Sequence, residues 1–155
     1  VKSYDRAAEE DPSLAAAWFN RGHALRELGR EEEAVESYDR AAEEDPTDAA
    51  AWGARGVVLS ELGRFKEAVK SYDRAVEEDP TDAATWYNRG LALRALGREE
   101  EAVKSFERAV EEDPTHAATW YNRGLALRAL GREEEALESF NRACAINPDY
   151  CIESS

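Results

Sequence analysis

Long apolar runs are missing from this 155-residue chain. Stretches such as Val57-Val58-Leu59 fall far short of the roughly 20 residues that cross a bilayer, so no membrane span is expected. Cysteine is scarce, with only Cys144 and Cys151. A disulfide scaffold is therefore not indicated, and both are expected as accessible, reducible thiols in a reducing cytoplasm. Seven residues separate them and no histidine lies close by, unlike the short paired spacings of a zinc site, so no metal is expected. Histidine is equally sparse. His23 and His116 are the side chains suited to general base work near neutral pH, and no serine, cysteine or carboxylate arrangement recurs around either, which argues against an enzyme. Phosphate-cradling glycine loops are absent, and no cofactor is implied. Positive charge is in deficit, with 20 Lys and Arg against 34 Asp and Glu, a net charge of -14. Nucleic acid and anionic lipid carry the same sign and are poor partners. With no methionine and a start in mid-pattern at Val1, the chain reads as a piece of a longer protein, and no targeting segment can be judged from it.

What the chain has is a period. Trp18, Trp52, Trp86 and Trp120 stand 34 residues apart, and Pro12, Pro46, Pro80, Pro114 and Pro148 keep the same interval. A unit of that length cannot bury its apolar face alone and must stack on its neighbours. The pattern gives one array over residues 1–150, with a partial unit at 1–14, full units at 15–48, 49–82, 83–116 and 117–150, and a tail at 151–155. AATWYNRGLALRALGREEEA occurs at 83–102 and again, unchanged, at 117–136, which points to recent duplication or consensus design.

Each full unit reads as two helices, A and B. Thr47, Thr81 and Thr115 follow the prolines and are placed to cap helix A, while Gly29, Gly63, Gly97 and Gly131 end it. Helix B runs from the EEEAV-type segment to EEDP, with Ala34, Val35, Tyr38, Ala41 and Ala42 at helical spacing. Its outer charges, such as Glu36, Arg40 and Glu44, form an exposed ladder. Small residues at Gly22, Ala34 and Ala41 allow close helix approach, and Trp18 and Tyr38 fill the space beside them.

Trp18, Gly22, Leu25, Ala34, Tyr38, Ala41 and Pro46 follow the spacing of the tetratricopeptide repeat, which the chain resembles over essentially its whole length. The resemblance implies an all-α fold, a right-handed α-α superhelix of antiparallel helix pairs whose A helices line a concave groove. The chain departs from the pattern at Arg21, Arg55, Arg89 and Arg123, where leucine is usual. These are read as structural arginines that snorkel or pair with a helix B carboxylate.

A helical wheel places Trp18, Arg21, Leu25 and Leu28 on the packed side of helix A. The opposite side is the expected groove, with Phe19, Asn20, His23 and Arg26 in the first full unit. Its counterparts are Tyr87, Asn88, Leu91 and Arg94 in the third, and Tyr121, Asn122, Leu125 and Arg128 in the fourth. The second unit presents Gly53, Ala54, Val57, Ser60 and Glu61 instead. The A-helix windows hold eleven arginines against Glu27 and Glu61, although Arg30, Arg64, Arg98 and Arg132 sit beside the acidic start of helix B. Asn20, Asn88 and Asn122 resemble the asparagine ladder that holds a peptide main chain, broken here by Ala54. A clamp for chaperone tails is not matched, because Phe19, His23, Ala54, Ala84 and Asn88 occupy its positions. The resulting expectation is a noncatalytic scaffold for an extended peptide with apolar and acidic side chains. The alternative is a structural or designed array without a dedicated ligand. Weak head-to-tail self-association is also expected, between Val1–Leu14 and the last helix B of another copy.

Overall fold

The computed structural model describes residues 14–151, and among these it contains eight α-helices, one short 3-10 turn and no strand. In chain order they are α1 (Ala15–Glu27), α2 (Glu31–Glu44), α3 (Ala49–Glu61), α4 (Phe65–Glu78), α5 (Ala83–Ala95), α6 (Glu99–Glu112), α7 (Ala117–Ala129) and α8 (Glu133–Ile146), followed by the 3-10 turn Pro148–Tyr150. The A helices are α1, α3, α5 and α7, and the B helices are the other four. The chain divides into two compact units, Val1–Pro80 and Thr81–Ser155.

The glycines end helix A as the sequence predicts. Gly29, Gly63, Gly97 and Gly131 have φ of 74° to 77°, a region costly for residues with a Cβ. At the first of them, the Gly29 amide donates to the Arg26 carbonyl (3.0 Å) and the Arg30 amide to that of Leu25 (2.8 Å), which is a Schellman motif. Leu28 is a correction to the wheel. It lies past the last residue of α1 as the C-cap and is 60% exposed, so it does not share the packed side with Leu25.

The caps at the other end also differ from expectation. Asp48 and Asp82, not the preceding threonines, cap α3 and α5 by accepting the Ala50 and Ala84 amides at 3.0 and 3.1 Å. Thr47 and Thr115 instead turn back to the Asp45 and Asp113 carboxylates, each at 2.6 Å. An aspartate one residue later reaches the second helical amide with the shorter backbone path, which leaves the threonine to brace the turn.

Each helix pair closes on one buried ring. Tyr38, Tyr72, Phe106 and Phe140 pack against Gly22, Gly56, Gly90 and Gly124, where an added Cβ would stand 2.6 Å from Tyr38 and 2.5 Å from Tyr72. Leu25, Leu59, Leu93 and Leu127 complete this core and are fully buried. The tryptophans lie beside it, half-buried. Trp52 and Trp120 donate their indole N–H to the Pro46 and Pro114 carbonyls at 3.0 and 2.9 Å, and Arg74 and Arg142 of helix B lie over the rings. Within each compact unit these bonds tie the turn between two repeats to the helix that follows it.

The departing arginines pair inside the fold. Their guanidinium groups meet a buried serine row on helix B: Arg21 on Ser37, Arg55 on Ser71 and Arg123 on Ser139 at 2.5 Å, and Arg89 on Ser105 at 2.6 Å. Arg55 also donates to Asp39 and Arg123 to Glu107, both on the preceding helix B. Burial of a charge is tolerable when it is paired and hydrogen-bonded in this way. On the outer face the pairing is mostly between residues three apart, as in Arg40–Glu43 and Arg108–Glu111, and not along the Glu36, Arg40, Glu44 ladder.

The cysteines overturn the reading of free thiols. Cys144 and Cys151 form a disulfide, with Cα atoms 4.4 Å apart. Helix α8 stops at Ile146, and the turn at Pro148–Tyr150 folds the chain back so that Cys151 returns to the end of the helix.

Candidate functional site

The residues expected to face a ligand lie on the A helices in two groups, one in each unit. In the first unit Phe19, Asn20, His23 and Arg26 are on α1. The Phe19 and His23 rings are 4.6 Å apart, and both lie within 6 Å of the buried Tyr38 ring. The Tyr38 hydroxyl and His23 Nδ1 share a hydrogen bond of 2.5 Å. Burial pushes the Tyr38 phenol up to about 12, because the phenolate is poorly solvated there. Arg26 is held by Glu61 of α3, its Nε within 3.1 and 3.2 Å of the two carboxylate oxygens and its Nη2 2.5 Å from Oε1. His23, Arg26, Glu27, Glu31 and Glu61 line an open cavity of about 440 Å³. Asn20 is exposed and makes no side-chain hydrogen bond among the described residues.

The second unit differs in character. Tyr87, Asn88, Leu91 and Arg94 are on α5, and Tyr121, Asn122, Leu125 and Arg128 on α7. Asn122 Nδ2 donates to the Ala118 carbonyl at 2.9 Å and to the Tyr87 hydroxyl at 3.3 Å, joining the two A helices. Asn88 makes no such bond among the described residues, so its amide is the more available of the two. Burial raises the Tyr87 phenol above its ordinary value. Arg94 pairs with Glu99 at 3.2 Å, and Arg128 lies 3.9 Å from Glu133 with its guanidinium 4.6 Å over the Phe140 ring. All three arginines expected to contact a ligand therefore already hold carboxylates, and an acidic ligand must exchange with them.

Two aromatic residues in this unit escaped the sequence reading. His116, expected as a plain surface substitution, takes the N-cap position of α7 but makes no capping bond to the backbone. Its ring stands edge-on to Tyr87 at 5.0 Å, and its Nδ1 meets Thr119 Oγ1 at 2.6 Å. Together with Ala83, Ala84 and Asp113 these residues line a cavity of about 140 Å³. Tyr150 stands 34 residues after His116 and packs its ring 5.3 Å from that of Tyr121. The shared period was the signal available in the sequence. Position 48, 82, 116, 150 reads Asp, Asp, His, Tyr, and the two rings fall where the preceding A helix carries a tyrosine.

Among the described residues no helix is long and apolar enough to cross a membrane, and no group of three His, Cys, Asp or Glu side chains is placed to hold a metal.

No curated protein matches this chain. Among solved structures, the crystal structure of MamA superposes with a TM-score of 0.90 at 22% identity, covering 96% of this chain and 86% of that one. MamA 41-end from Desulfovibrio magneticus RS-1 gives a TM-score of 0.86 at 22% identity, over 99% of this chain and 85% of that one. At such identity the likeness carries the fold alone. Two family models described as tetratricopeptide repeat fit the chain, one over residues 33–83, 54–117 and 87–150 and the other over residues 15–48. The chain belongs to the tetratricopeptide repeat family, whose stacked helix pairs serve as a noncatalytic scaffold for protein interaction.

Proposed function

We propose that the exposed faces of the A helices bind an extended peptide. The observation that carries this reading is the second unit's face, where Tyr87, Leu91, Tyr121 and Leu125 are only half-buried and stand beside the free amide of Asn88. Apolar side chains of a ligand rest on these four residues, Asn88 holds its main chain, and acidic side chains compete with Glu99 and Glu133 for Arg94 and Arg128. The test is titration of a peptide library against variants. Charge reversal of Arg94 and Arg128 to Glu weakens binding at low salt and less at high salt, because the attraction is screened. Asn88→Ala weakens it at every salt concentration, and Glu100→Lys on helix B leaves it nearly unchanged. A wild type that binds no peptide tighter than about 1 mM overturns the reading.

Self-association is supported by a separate observation. Leu137 on α8 is 60% exposed, whereas Val35 and Val103 at the same repeat position are 5% and 2% exposed. A second copy lying over Leu137 gives the weak head-to-tail contact. The partner segment expected for it, Val1–Leu14, lies outside the described residues except for Leu14. Sedimentation velocity across a concentration series tests this, with Leu137→Glu removing any concentration dependence. Monomers at every concentration for the wild type overturn it.

A further inference from the structure

The turn after α8 is held differently from the turns inside the array. At 113–116 the Trp120 indole bonds the Pro114 carbonyl at 2.9 Å, and α7 follows directly, so the ring of His116 is fixed against Tyr87 by packing. At 147–151 no tryptophan performs that task among the described residues. Three short bonds support the turn: Asp149 N–H to Asn147 Oδ1, Tyr150 N–H to the Asn147 carbonyl and Cys151 N–H to the Pro148 carbonyl, each at 3.0 Å. A single 3-10 turn of this kind has little stability of its own. The remaining tie is the disulfide from Cys144, in the last turn of α8, to Cys151, the residue after Tyr150. Tyr150 in turn lies on Tyr121, which belongs to the candidate peptide face of α7.

We infer that Cys144–Cys151 is a reversible thiol–disulfide site that keeps Tyr150 on Tyr121, and that its reduction by a dithiol uncovers Tyr121. Cys151 is exposed and Cys144 only partly so, which makes the Cys151 sulfur the accessible one. A reductant thiolate attacks Cys151 Sγ, the S–S bond breaks, and Cys144 leaves as a thiolate that takes up a proton. The second thiol of the reductant then displaces Cys151, also protonated on release, and the reductant ends as its cyclic disulfide. Two electrons and two protons pass to the protein. The α7–α8 pair does not depend on the bond, since Phe140 closes on Gly124 with Leu127, Ala136 and Ala143 buried around it. Reduction therefore acts on the turn alone. The inference rests on the peptide-binding reading only for its consequence, a more open Tyr121 on the ligand face.

The experiment compares the air-oxidised 155-residue chain with the same chain in dithiothreitol and with the Cys144→Ser/Cys151→Ser variant. Proton NMR reads the Tyr121–Tyr150 ring contact, and hydrogen exchange reads the amides. On reduction the ring contact is lost, the Tyr150 and Cys151 amides exchange about tenfold faster or more, and the amides of α7 and α8 change by less than about twofold. The double serine variant reproduces the reduced state, and reoxidation restores the contact in the wild type. A ring contact that survives reduction overturns the inference, as does loss of protection throughout α7 and α8, or two free thiols titrating in air-oxidised protein. None of these readouts uses a peptide. If peptides bind equally well before and after a demonstrated loss of the ring contact, the coupling to the face fails while peptide binding stands.

Discussion

The two compact units use the same frame but finish it with different chemistry. In the first, the buried ring is a tyrosine whose hydroxyl has a polar partner on helix A: His23 for Tyr38, and Ser60 at 3.3 Å for Tyr72. In the second the ring is phenylalanine, and leucines 91 and 125 occupy the positions of His23 and Val57. Each phenol meets a polar side chain of helix A, but from different repeat positions: Val57 stands where His23 does, and Arg128 stands where Ser60 does, with its guanidinium over the Phe140 ring. The first face is polar and acidic, with Glu27, Glu31 and Glu61 around its cavity, and the second is more aromatic and aliphatic, with Tyr87, Leu91, Tyr121 and Leu125.

If the frames are equivalent, the largest perturbations should not distinguish them. Leu59→Ala and Leu93→Ala each remove a fully buried side chain from the same position in the two units, and each is expected to cost about 2–5 kcal/mol. Urea unfolding measures both, and values differing by more than about 1.5 kcal/mol, roughly half the span seen for such changes, would break the equivalence.

Alkaline pH should act on the first unit through its core rings. Burial raises the folded phenols of Tyr38, to about 12, and of Tyr72, while unfolded tyrosine titrates near 10. Between these values the unfolded chain has lost protons that the folded chain retains. The stability contributed by the neutral phenols is therefore complete below about pH 10 and is lost as pH rises towards 12. Phe106 and Phe140 have nothing to titrate, and in the second unit the raised phenol of Tyr87, beside the core ring, adds a contribution of the same sign. Urea midpoints from pH 9 to 12 should fall, and Tyr38→Phe/Tyr72→Phe should flatten that fall, with tyrosinate absorbance as an independent readout. An unchanged slope in the double variant would place the alkaline sensitivity elsewhere.

A smaller contrast concerns the caps. Asp48→Ala removes a side-chain cap and is expected to cost about 1 kcal/mol. His116→Ala removes no backbone cap and should lose the edge-on contact with Tyr87, about 0.5–1.5 kcal/mol, together with the hydrogen bond to Thr119. The decisive measurement is a cycle with Tyr87→Ala: the His116 effect should shrink in that background to what the Thr119 bond supplies, and the Asp48 effect should persist in full.

An effect of comparable size but stabilising sign is expected at the buried arginines. Arg55 places its Nε on Asp39, but the longer Glu107 reaches only Nη2 of Arg123 at 3.3 Å, leaving Arg123 Nε buried without a partner. Glu107→Asp shortens the carboxylate to match the first unit and should stabilise by about 0.5–1.5 kcal/mol. Asp39→Glu should do the reverse, and thermal unfolding of both variants checks the pair.

Sequence alone determined what depends on neighbours along the chain. The 34-residue period, the glycine that ends each A helix, the proline after each B helix and the apolar stripe around Tyr38 are local signals, because helix geometry repeats every few residues and a left-handed residue favours glycine wherever it occurs. Family and core were legible for that reason. Partner choice was not. Arg21 and Ser37 are sixteen residues apart, and a wheel drawn for one helix cannot say which side chain of another will meet it. The same holds for Arg26 on Glu61, thirty-five residues away, which turned an expected ligand contact into an internal ion pair. Cys144 and Cys151 make the point at short range. Seven residues along a continuous helix would separate their Cα atoms by about 10 Å. Only the end of α8 and the turn at Pro148 bring them to 4.4 Å, because a covalent bond depends on distance through space and spacing along the chain does not supply it.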